Sequence, residues 1–323
     1  MPGISSNDEE RAAVATSVAS GQPVASRKRL ASPTQRRGET LLLLGPCALY
    51  LIVFSVYPLV ASLVRSFMDY DQRSNTWNWV GFQNYSELFS SREFANTVQN
   101  TFTLMFAGVA IQVVLGVALA LFFNQQLRGA TLVRGIIVLP MLLTPIVVGL
   151  MWRALLNPEW GLLNWIAVEL GFGHVGWLSD PSLAIWTLVL VDSWQWTPFV
   201  FVIVYARLQA LPQEVFEAGS VDGANWFQRT LHLTLPLLMP AIVFAAVFRA
   251  IDAFRTFDLV YGLTNGGPVQ STSTLSFEAF QNGFEFQRYG YASAISYVMV
   301  IAAAVGITIL FRVVKVRRVD VAT

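Results

Sequence analysis

The sequence predicts an all-α membrane protein with six transmembrane helices. Of its 323 residues, 54% are hydrophobic and only 13% are charged, whereas a soluble domain carries about 25% charged residues. Apolar stretches of roughly 20 residues, the length that crosses a bilayer as a helix, recur along the chain. The six predicted spans cover residues 40–63, 101–124, 133–152, 183–206, 235–257 and 290–314.

Residues 1–38 precede the first span and differ from the rest of the chain. They are rich in Ser, Ala, Pro, Gln and charged residues and show no hydrophobic periodicity, a composition typical of disorder. A basic segment before an apolar run also fits a signal peptide. The run over 40–63 is longer than the roughly 7–15 apolar residues of a signal peptide, so we expect an uncleaved first span behind a disordered basic tail.

The distribution of Arg and Lys predicts the orientation of the spans, because cytoplasmic loops carry an excess of both residues. With the N-terminus inside, the inside segments hold fourteen of the 21 basic residues and the outside segments hold five. We therefore expect both termini in the cytoplasm, a six-helix domain over 39–318 and a cytoplasmic C-terminal end over 319–323. The long inside loop is 207–234, and the outside loops are 64–100, 153–182 and 258–289.

The rarity of several residue types limits the chemistry of this chain. Cys47 is the one cysteine, so the chain can form no internal disulfide or thiolate metal site. His174 and His232 are too far apart for a local zinc motif, and neither Lys28 nor Lys315 follows a glycine-rich phosphate loop. The net charge of +1 does not indicate a nucleic-acid partner. We expect no catalytic residue, no metal site and no cofactor bound by this chain, which argues against a membrane enzyme.

Polar and aromatic residues in the fourth predicted span are candidates for a substrate pathway. Asp192, Trp196 and Phe199 follow the spacing i, i+4, i+7 and share one helix face. A charge near mid-membrane costs roughly 2.5–3.5 kcal/mol on insertion scales, so we expect Asp192 to face the protein interior. A carboxylate beside aromatic rings suits a sugar, which offers hydroxyls to the acid and C–H groups to the ring. The alternative is that Trp194 and Trp196 are ordinary aromatic residues of a span.

The fifth predicted span ends in a row of alternating charges, Arg249, Asp252, Arg255 and Asp258. Successive members are three residues apart, so neighbours can pair along a helix. Four such charges in lipid would cost on the order of 10 kcal/mol, which favours a position lining a cavity or near its outer mouth. The alternative is a purely structural pairing. The row also fits a proton-coupled secondary transporter, although no inverted repeat is detectable in the sequence.

A polar insert, EAGSVDGANWFQRTLHLTLP from Glu217 onward, separates the fourth and fifth spans. Pro212 suits the first position of a helix. Glu214 and Glu217 follow it, and carboxylates are stabilising near the positive N-terminal end of a helix. Asp222 can cap a second helix that starts near Gly223. We predict a helix, a tight turn built from small residues, and a second helix on the cytoplasmic side. The alternative is an amphipathic loop that only links two spans.

The insert resembles the EAA loop of permease subunits from ATP-binding-cassette (ABC) importers. It differs from the family pattern at Gly219, where the family has alanine, and at Thr230, where phenylalanine is favoured. The segments WVGFQNYSELF, NPEWGLLN and LTNGGP are similar to segments of the carbohydrate-uptake branch, and LTNGGP is typical of the subunit related to the larger maltose permease. The matching loop residues are Glu217, Ala218, Asp222, Gly223, Ala224, Leu235 and Pro236.

The resemblance implies a type I ABC importer permease with a MetI-like core in a bacterial cytoplasmic membrane. In that family the loop forms a coupling helix that docks in a cleft of an ATPase subunit. The implied ATPase-coupling residues are Glu214, Glu217, Ala218, Gly219, Asp222, Gly223 and Ala224. The resemblance implies substrate contacts near Trp194, Trp196 and Phe199 and around Ala253 to Thr256. Together with the residue patterns above, the expected substrate-pathway residues are Asp192, Trp194, Trp196, Phe199, Asp252, Arg255 and Thr256.

The resemblance also implies that this chain works as part of a larger complex. The expected partners are two ABC ATPase subunits that use ATP and Mg²⁺, a second and different permease subunit, an extracytoplasmic solute-binding protein and the lipid bilayer. The expected solute is of the carbohydrate type, namely a sugar, an oligosaccharide, a polyol or a glycerol phosphate.

Overall fold

A computed structural model of the chain describes residues 45–47, 49–125 and 129–320. The predicted disordered tail over 1–38 lies outside the described residues, and so does most of the predicted C-terminal end. The description below therefore concerns the part of the chain that was predicted to contain the spans and the loops between them.

The described elements are helices, apart from one short β-hairpin. They belong to two compact units, residues 1–59 and residues 60–323, and the first unit contains the start of the first helix. In chain order the elements are α1 (Gly45–Ser66), β1 (Met68–Asp71), β2 (Thr76–Trp79), α2 (Gln83–Ser90), α3 (Arg92–Phe123), α4 (Ala130–Leu142), α5 (Pro145–Leu155), α6 (Leu162–Glu169), α7 (Pro181–Gln209), α8 (Gln213–Val221), α9 (Trp226–Phe254), α10 (Asp258–Leu263), α11 (Leu275–Phe280) and α12 (Tyr289–Asp320).

The long apolar helices match the six predicted spans. Five helices of the described residues, α1, α3, α7, α9 and α12, are long and apolar enough to cross a membrane, and the bent pair α4 and α5 makes a sixth span if it is counted as one. The prediction of an all-α membrane protein is therefore confirmed. The helix α9 begins at Trp226, earlier than the predicted fifth span, because the second helix of the polar insert continues into it through a π-helical turn at Thr230–Thr234.

The third predicted span, 133–152, is not one straight helix. The chain bends by 100° between α4 and α5. Thr144 precedes Pro145 and has an extended backbone, as expected of a residue that the proline ring keeps out of the helical region. The bend frees backbone groups from the helix ladder, and the buried Gln195 of α7 donates from Nε2 to the carbonyl oxygen of Leu143 at 3.0 Å. A side chain of a neighbouring helix thus provides a hydrogen bond to a carbonyl group at the break. The same carbonyl group could not remain without a donor if it were exposed to lipid.

The centre of the second unit consists of α3, α7 and α9, each of which packs against the other two. Small residues let the backbones approach. A Cβ atom at Gly116 of α3 would lie 2.7 Å from Val200 Cβ of α7, and one at Gly149 of α5 would lie 2.9 Å from the backbone nitrogen of Leu263 in α10. Small residues at helix contacts are typical of membrane bundles, where close packing supplies much of the association energy.

The hairpin β1–β2 is antiparallel, with Met68 opposite Trp79, and it is anchored to the start of α12. Asn84 Nδ2 donates to the carbonyl oxygens of Ser66 and Met68, each at 2.9 Å. Gly290 packs directly onto the same strand, because a Cβ atom there would lie 1.8 Å from the Met68 carbonyl oxygen. The first turn of α12 can therefore reach the hairpin only with glycine at position 290.

We expect Gly290→Ala to lower the melting temperature of the detergent-solubilised protein. The added methyl group meets backbone rather than a flexible side chain, and such overpacking costs about 1–3 kcal/mol. Gly306→Ala is the matched control, since Gly306 lies on the same helix with open space at its Cβ position and alanine is the better helix former. Equal melting temperatures for the two variants would show that the contact with Met68 does not constrain the fold.

Candidate functional site

The polar insert folds as the predicted helix, tight turn and helix. The helix α8 ends in a Schellman motif, in which Ala224 N donates to Gly219 O and Gly223 N donates to Ser220 O, both at 3.1 Å. Gly223 has φ +76°, the left-handed conformation that the motif requires and glycine adopts without strain. The Asp-Gly-Ala part of the motif is thus a helix stop signal that reverses the chain within a few residues.

The second helix starts later than predicted and has a different cap. Asp222 was expected to cap a helix beginning near Gly223, but it lies at the C-terminal end of α8. The N-cap of α9 is Asn225, which forms a capping box with Gln228: Asn225 Oδ1 accepts from Gln228 N at 2.9 Å, and Gln228 Oε1 accepts from Asn225 N at 3.0 Å. The reason is geometric, because Gly223 in the left-handed conformation ends one helix and cannot begin the next.

The two helices of the loop pack on each other at Gly219, which is buried. A Cβ atom at Gly219 would lie 2.8 Å from Leu233 Cδ1, so the glycine that departs from the family pattern permits this close approach. Arg229 Nη1 donates to Ser220 Oγ and ties the helices together. The helix, turn and helix over residues 213–234, hereafter called the elbow, are thereby fixed relative to one another.

The structure brings most of the predicted ATPase-coupling residues to one place. A groove of about 760 Å³ runs along the elbow and is lined by Gly219, Asp222, Gly223 and Ala224 among others. Glu214 and Glu217 are exposed on α8, and Ala218 lies in the same helix. The loop therefore combines a capped turn, a groove lined by small residues and two exposed carboxylates on the preceding helix.

A buried arginine joins three helices at the predicted substrate pathway. Arg249 of α9 is 1% exposed, and its three nitrogen groups all have partners. Its Nε donates to Gln112 Oε1 of α3 at 2.9 Å, its Nη2 donates to Asp192 Oδ2 of α7 at 3.1 Å, and its Nη1 pairs with Asp252. A guanidinium group offers five donors in a fixed fork, so one side chain satisfies acceptors from several helices.

Asp192 faces the protein interior, as its charge predicted. It is 1% exposed, and besides Arg249 it accepts from Gln112 Nε2 at 2.7 Å. Room for the carboxylate comes from Gly108, whose Cβ atom would lie 3.2 Å from Asp192 Oδ2. Because Asp192 is buried and both of its carboxylate oxygens accept from protein donors, it supports Arg249 in this structure.

The aromatic residues of α7 lie on two different faces. The Arg249 guanidinium lies 4.6 Å from the ring centre of Trp196, and Phe199 stacks on Phe248 of α9 at 5.2 Å. Trp194 is two residues before Trp196, about 200° away around a helix, and contacts Trp152 of α5 at 5.4 Å. Trp194 also lines an almost entirely apolar groove of about 780 Å³. The predicted set of pathway residues is thus divided between a charged face and an apolar face.

Three of the four charged residues in the row at the end of α9 form ion pairs with one another. Asp252 bridges Arg249 and Arg255, the latter at 3.5 Å. The side chain of Arg255 is 72% exposed and that of Asp252 is 30% exposed. Thr256 is half-buried and its carbonyl oxygen accepts from Thr274 Oγ1 at 2.8 Å, while Asp258 is exposed at the start of α10. The network therefore runs from a buried end at Asp192 to an open end at Arg255.

Sequence reasoning missed Gln112 as a member of this network. The signal available was its polarity, since it stands within the apolar run GVAIQVVLG of the second span. A polar side chain in such a run faces the bundle interior by default, but its partners lie 80 and 137 residues away in sequence. Only the packing of α3 against α7 and α9 reveals what it binds.

Comparison with known proteins identifies the family. The profile described as "Binding-protein-dependent transport system inner membrane component" matches residues 112–318. The chain belongs to this family. The predicted recognition is therefore confirmed: the permease is a transmembrane subunit of an ABC importer.

Similar proteins cover most of the permease. The trehalose/maltose transport system permease protein MalF of Thermococcus litoralis is 38% identical over 233 residues, which cover 72% of this chain and 78% of the relative. The sulfoquinovosyl glycerol transport system permease protein SmoG of Agrobacterium fabrum is 32% identical and covers 86% of this chain and 90% of its own length. Both relatives are named as permeases of carbohydrate uptake systems, the branch that the sequence resembles.

A solved structure supports the fold independently. The permease is similar to a chain in the crystal structure of a bacterial ABC transporter involved in the import of the acidic polysaccharide alginate, with a TM-score of 0.76 and 22% sequence identity. The similarity covers 88% of this chain and 98% of the other. The predicted importer permease fold is confirmed by this likeness.

We expect Arg249→Met to destabilise the permease strongly. It leaves Asp192 charged, buried and without its cation, and breaking a buried ion pair in this way costs about 3–5 kcal/mol. Arg255→Met is the matched control, because Arg255 is the C-cap of the same helix, pairs with the same Asp252 and is exposed, where an ion pair contributes about 0–1 kcal/mol. Thermal unfolding in detergent measures both.

The double variant Arg249→Met with Asp192→Asn provides a further check. Removing the buried carboxylate charge should restore part of the lost stability, because the two residues share one interaction. If Arg249→Met unfolds at the same temperature as Arg255→Met, the buried network does not hold the three helices together.

Proposed function

We propose that the permease forms the transmembrane pathway of an ATP-driven importer that moves a carbohydrate-type solute into the cell by alternating access. The observation that carries the proposal is the polar insert, which is a capped helix–turn–helix with an exposed glycine turn and exposed carboxylates between two membrane helices. Such an elbow is far more constrained than a loop that only links two spans. Its rigidity suits the transmission of force.

The solute class is proposed from the relatives and from the chemistry of α7 and α9. The relatives described above are named for trehalose/maltose and for sulfoquinovosyl glycerol, and a third, from Rhizobium radiobacter, is named as a lactose transport system permease protein and is 30% identical. Trp196 offers a partly exposed ring, and Arg255 offers an exposed guanidinium group at the open end of the network. A sugar, an oligosaccharide, a polyol or a glycerol phosphate fits such a combination of apolar face and hydrogen-bond donors.

We assign the coupling function to the elbow. Glu214, Glu217 and Ala218 on α8, with Gly219 and the Asp222–Ala224 turn, would dock in a cleft of an ATPase subunit. Gly223 has no atom within 4 Å of the position of its Cβ, so the turn is open to a partner surface. Closure of two ATPase subunits, which bind and hydrolyse ATP with Mg²⁺, would push on this joint, and the permease itself would contribute no catalytic residue.

The complex that this requires contains more than the permease. We propose two ATPase subunits, a second and different permease and an extracytoplasmic solute-binding protein, in the cytoplasmic membrane of a bacterium. Both termini and the elbow would lie in the cytoplasm, which agrees with the excess of Arg and Lys in the corresponding segments. The binding protein would then meet the loops on the opposite side.

The proposed pathway is a revised set of the predicted residues. Trp196, Asp252, Arg255 and Thr256 form its wall, with Phe199 packed behind the ring of Trp196 at 6.4 Å. Asp192 acts through Arg249, which it positions. Trp194 would enter the pathway only along the apolar groove, because it lies on the other face of α7.

A proton-coupled secondary transporter is the alternative that the row of charges raised. The network argues against it, because Asp192, Arg249, Asp252 and Arg255 pair as two cations and two anions and leave no unpaired carboxylate within that set. Uptake that survives depletion of ATP but collapses with an uncoupler would favour the alternative.

We expect Gly223→Trp to uncouple the importer while leaving the permease inserted. The indole would occupy the open space in which a partner is proposed to dock, so solute uptake by the reconstituted complex should fall at least tenfold. Gly223→Asn is the control for backbone strain, because asparagine tolerates the left-handed conformation and is small. Import at the parental rate by the tryptophan variant would place the joint elsewhere.

We expect Trp196→Ala to reduce uptake about tenfold or more at limiting solute while ATP hydrolysis by the complex continues. The variant removes the ring from the pathway and the cation–π contact that orients Arg249, a contact worth roughly 0.5–2 kcal/mol. Trp186→Ala is the matched control, because Trp186 lies on the same helix and is exposed. Unchanged uptake would remove Trp196 from the pathway.

A further inference from the structure

A small polar recess lies apart from both the elbow and the buried network. It has a volume of about 160 Å³ and is formed where α2, the start of α3, α11 and the start of α12 meet. Its side chains include three carboxylates, Glu87, Glu93 and Glu278, and one cation, Arg288. All four belong to the predicted outside loops 64–100 and 258–289. The recess therefore opens on the side opposite the elbow in the proposed topology.

Glu278 is the unusual member of the recess. It is 8% exposed, and its Oε2 makes no hydrogen bond with any residue that the structure describes. Buried carboxylates are ordinarily paired or hydrogen-bonded. The Thr97 hydroxyl lies beside this carboxyl and lowers its pKa as a hydrogen-bond donor does, yet neither Thr97 Oγ1 nor Glu278 Oε2 makes a hydrogen bond of ordinary geometry with a described residue. The lining of the recess thus contains a buried carboxylate oxygen without a well-formed hydrogen bond from the described residues.

The charges around Glu278 do not balance. Arg288 Nη2 pairs with Glu87 Oε1 at 2.6 Å and stacks over the Tyr291 ring at 4.4 Å, so its charge is directed to Glu87. Among the described residues, no cation lies within ion-pair distance of Glu93 or Glu278. Burial raises the pKa of the Glu278 carboxyl, the Thr97 hydroxyl lowers it and the charge of Glu93 raises it. A cation beside Glu278 would favour its charged form, and among the described residues none pairs with Glu278 or Glu93.

We propose that this recess receives one lysine side chain of the docked solute-binding protein, with its ammonium group between Glu278 and Glu93. The proposal rests on the proposed function, because it requires a binding protein on this side of the membrane. Lysine is a compact cation with three donors on a slender stem, which suits a small acidic recess. It would supply both a positive charge and a well-formed hydrogen bond.

A metal ion is a poorer occupant than an ammonium group. Within the described residues, no three His, Cys, Asp or Glu side chains are grouped closely enough to hold a metal ion. Glu87 is already engaged by Arg288, which leaves only two carboxylates for a ligand. Electrostatic complementarity of this kind fixes the register of an interface, so the lysine would orient the binding protein on the permease.

The test uses the complete importer in lipid nanodiscs and the binding protein recovered with it. Stimulation of ATP hydrolysis is titrated with solute-loaded binding protein for wild type, Glu278→Gln and Glu285→Gln. Glu285 is the matched control, because it lies seven residues away on the same segment and is exposed. We expect Glu278→Gln to raise the half-saturating concentration at least tenfold and Glu285→Gln to change it less than twofold.

A zero-length carbodiimide cross-link identifies the occupant directly. In the wild-type complex we expect Glu278 or Glu93 to be joined to one lysine of the binding protein, and substitution of that lysine to reproduce the defect of Glu278→Gln. Equal titrations of the two glutamine variants would overturn the proposal. So would a rise in the melting temperature of the binding-protein-free wild type, and not of Glu278→Gln, in potassium chloride but not in ammonium chloride, since the occupant would then be a metal cation.

Two results separate this proposal from the function on which it rests. If the wild-type importer is not stimulated by solute-loaded binding protein at all, the proposed function fails. If the wild type is stimulated and Glu278→Gln behaves like Glu285→Gln, only the lysine site fails. Equal melting temperatures of wild type and Glu278→Gln show that any defect in docking is not a defect in folding.

Discussion

The buried guanidinium of Arg249 is the interaction on which the helix bundle depends. A charge inside a membrane protein is tolerated only if its partners are inside as well, and Arg249 obtains them from three helices at once. Gln112 serves as donor to Asp192 and acceptor from Arg249, so the amide orients both charges. This arrangement fixes which groups of α3, α7 and α9 face one another, because each hydrogen bond requires its donor and acceptor at a set distance and angle.

The elbow is specified by local signals, and the bundle is not. The turn follows from a left-handed glycine and a capping box, which act over a few residues, and the sequence therefore predicted the helix, turn and helix. It placed the cap at Asp222 instead of Asn225 because both residue types cap helices, and only the Schellman motif decides between them. The pairing of Arg249 with Asp252 could also be predicted, because residues three apart in sequence are neighbours on a helix.

The features that could not be predicted from the sequence, namely the bend in the third span and the partners of Asp192, depend on contacts between residues far apart along the chain. The six apolar stretches predicted the fold class, because lipid imposes a length and a composition on each span. The bend in the third span was missed, since Pro140 and Pro145 allow a break but the satisfaction of its carbonyl by Gln195 decides whether it is tolerable. Likewise, the charge of Asp192 predicted that it faces the interior, but its hydrogen bonds with Gln112 and Arg249 could not be predicted, because both partners lie far away along the chain.

The helix α9 links the two sites mechanically. It begins in the elbow at Trp226 and continues to Phe254, with Arg249 roughly 35 Å along its axis at 1.5 Å per residue. Pro236 falls in the first turn of its regular α-helical part, and the Thr234 hydroxyl donates to the carbonyl oxygen of Arg229 within the preceding π-helical turn. A displacement of the elbow would therefore be carried to the buried network by one continuous helix. Because the network ties α9 to α3 and α7, the three helices would move together.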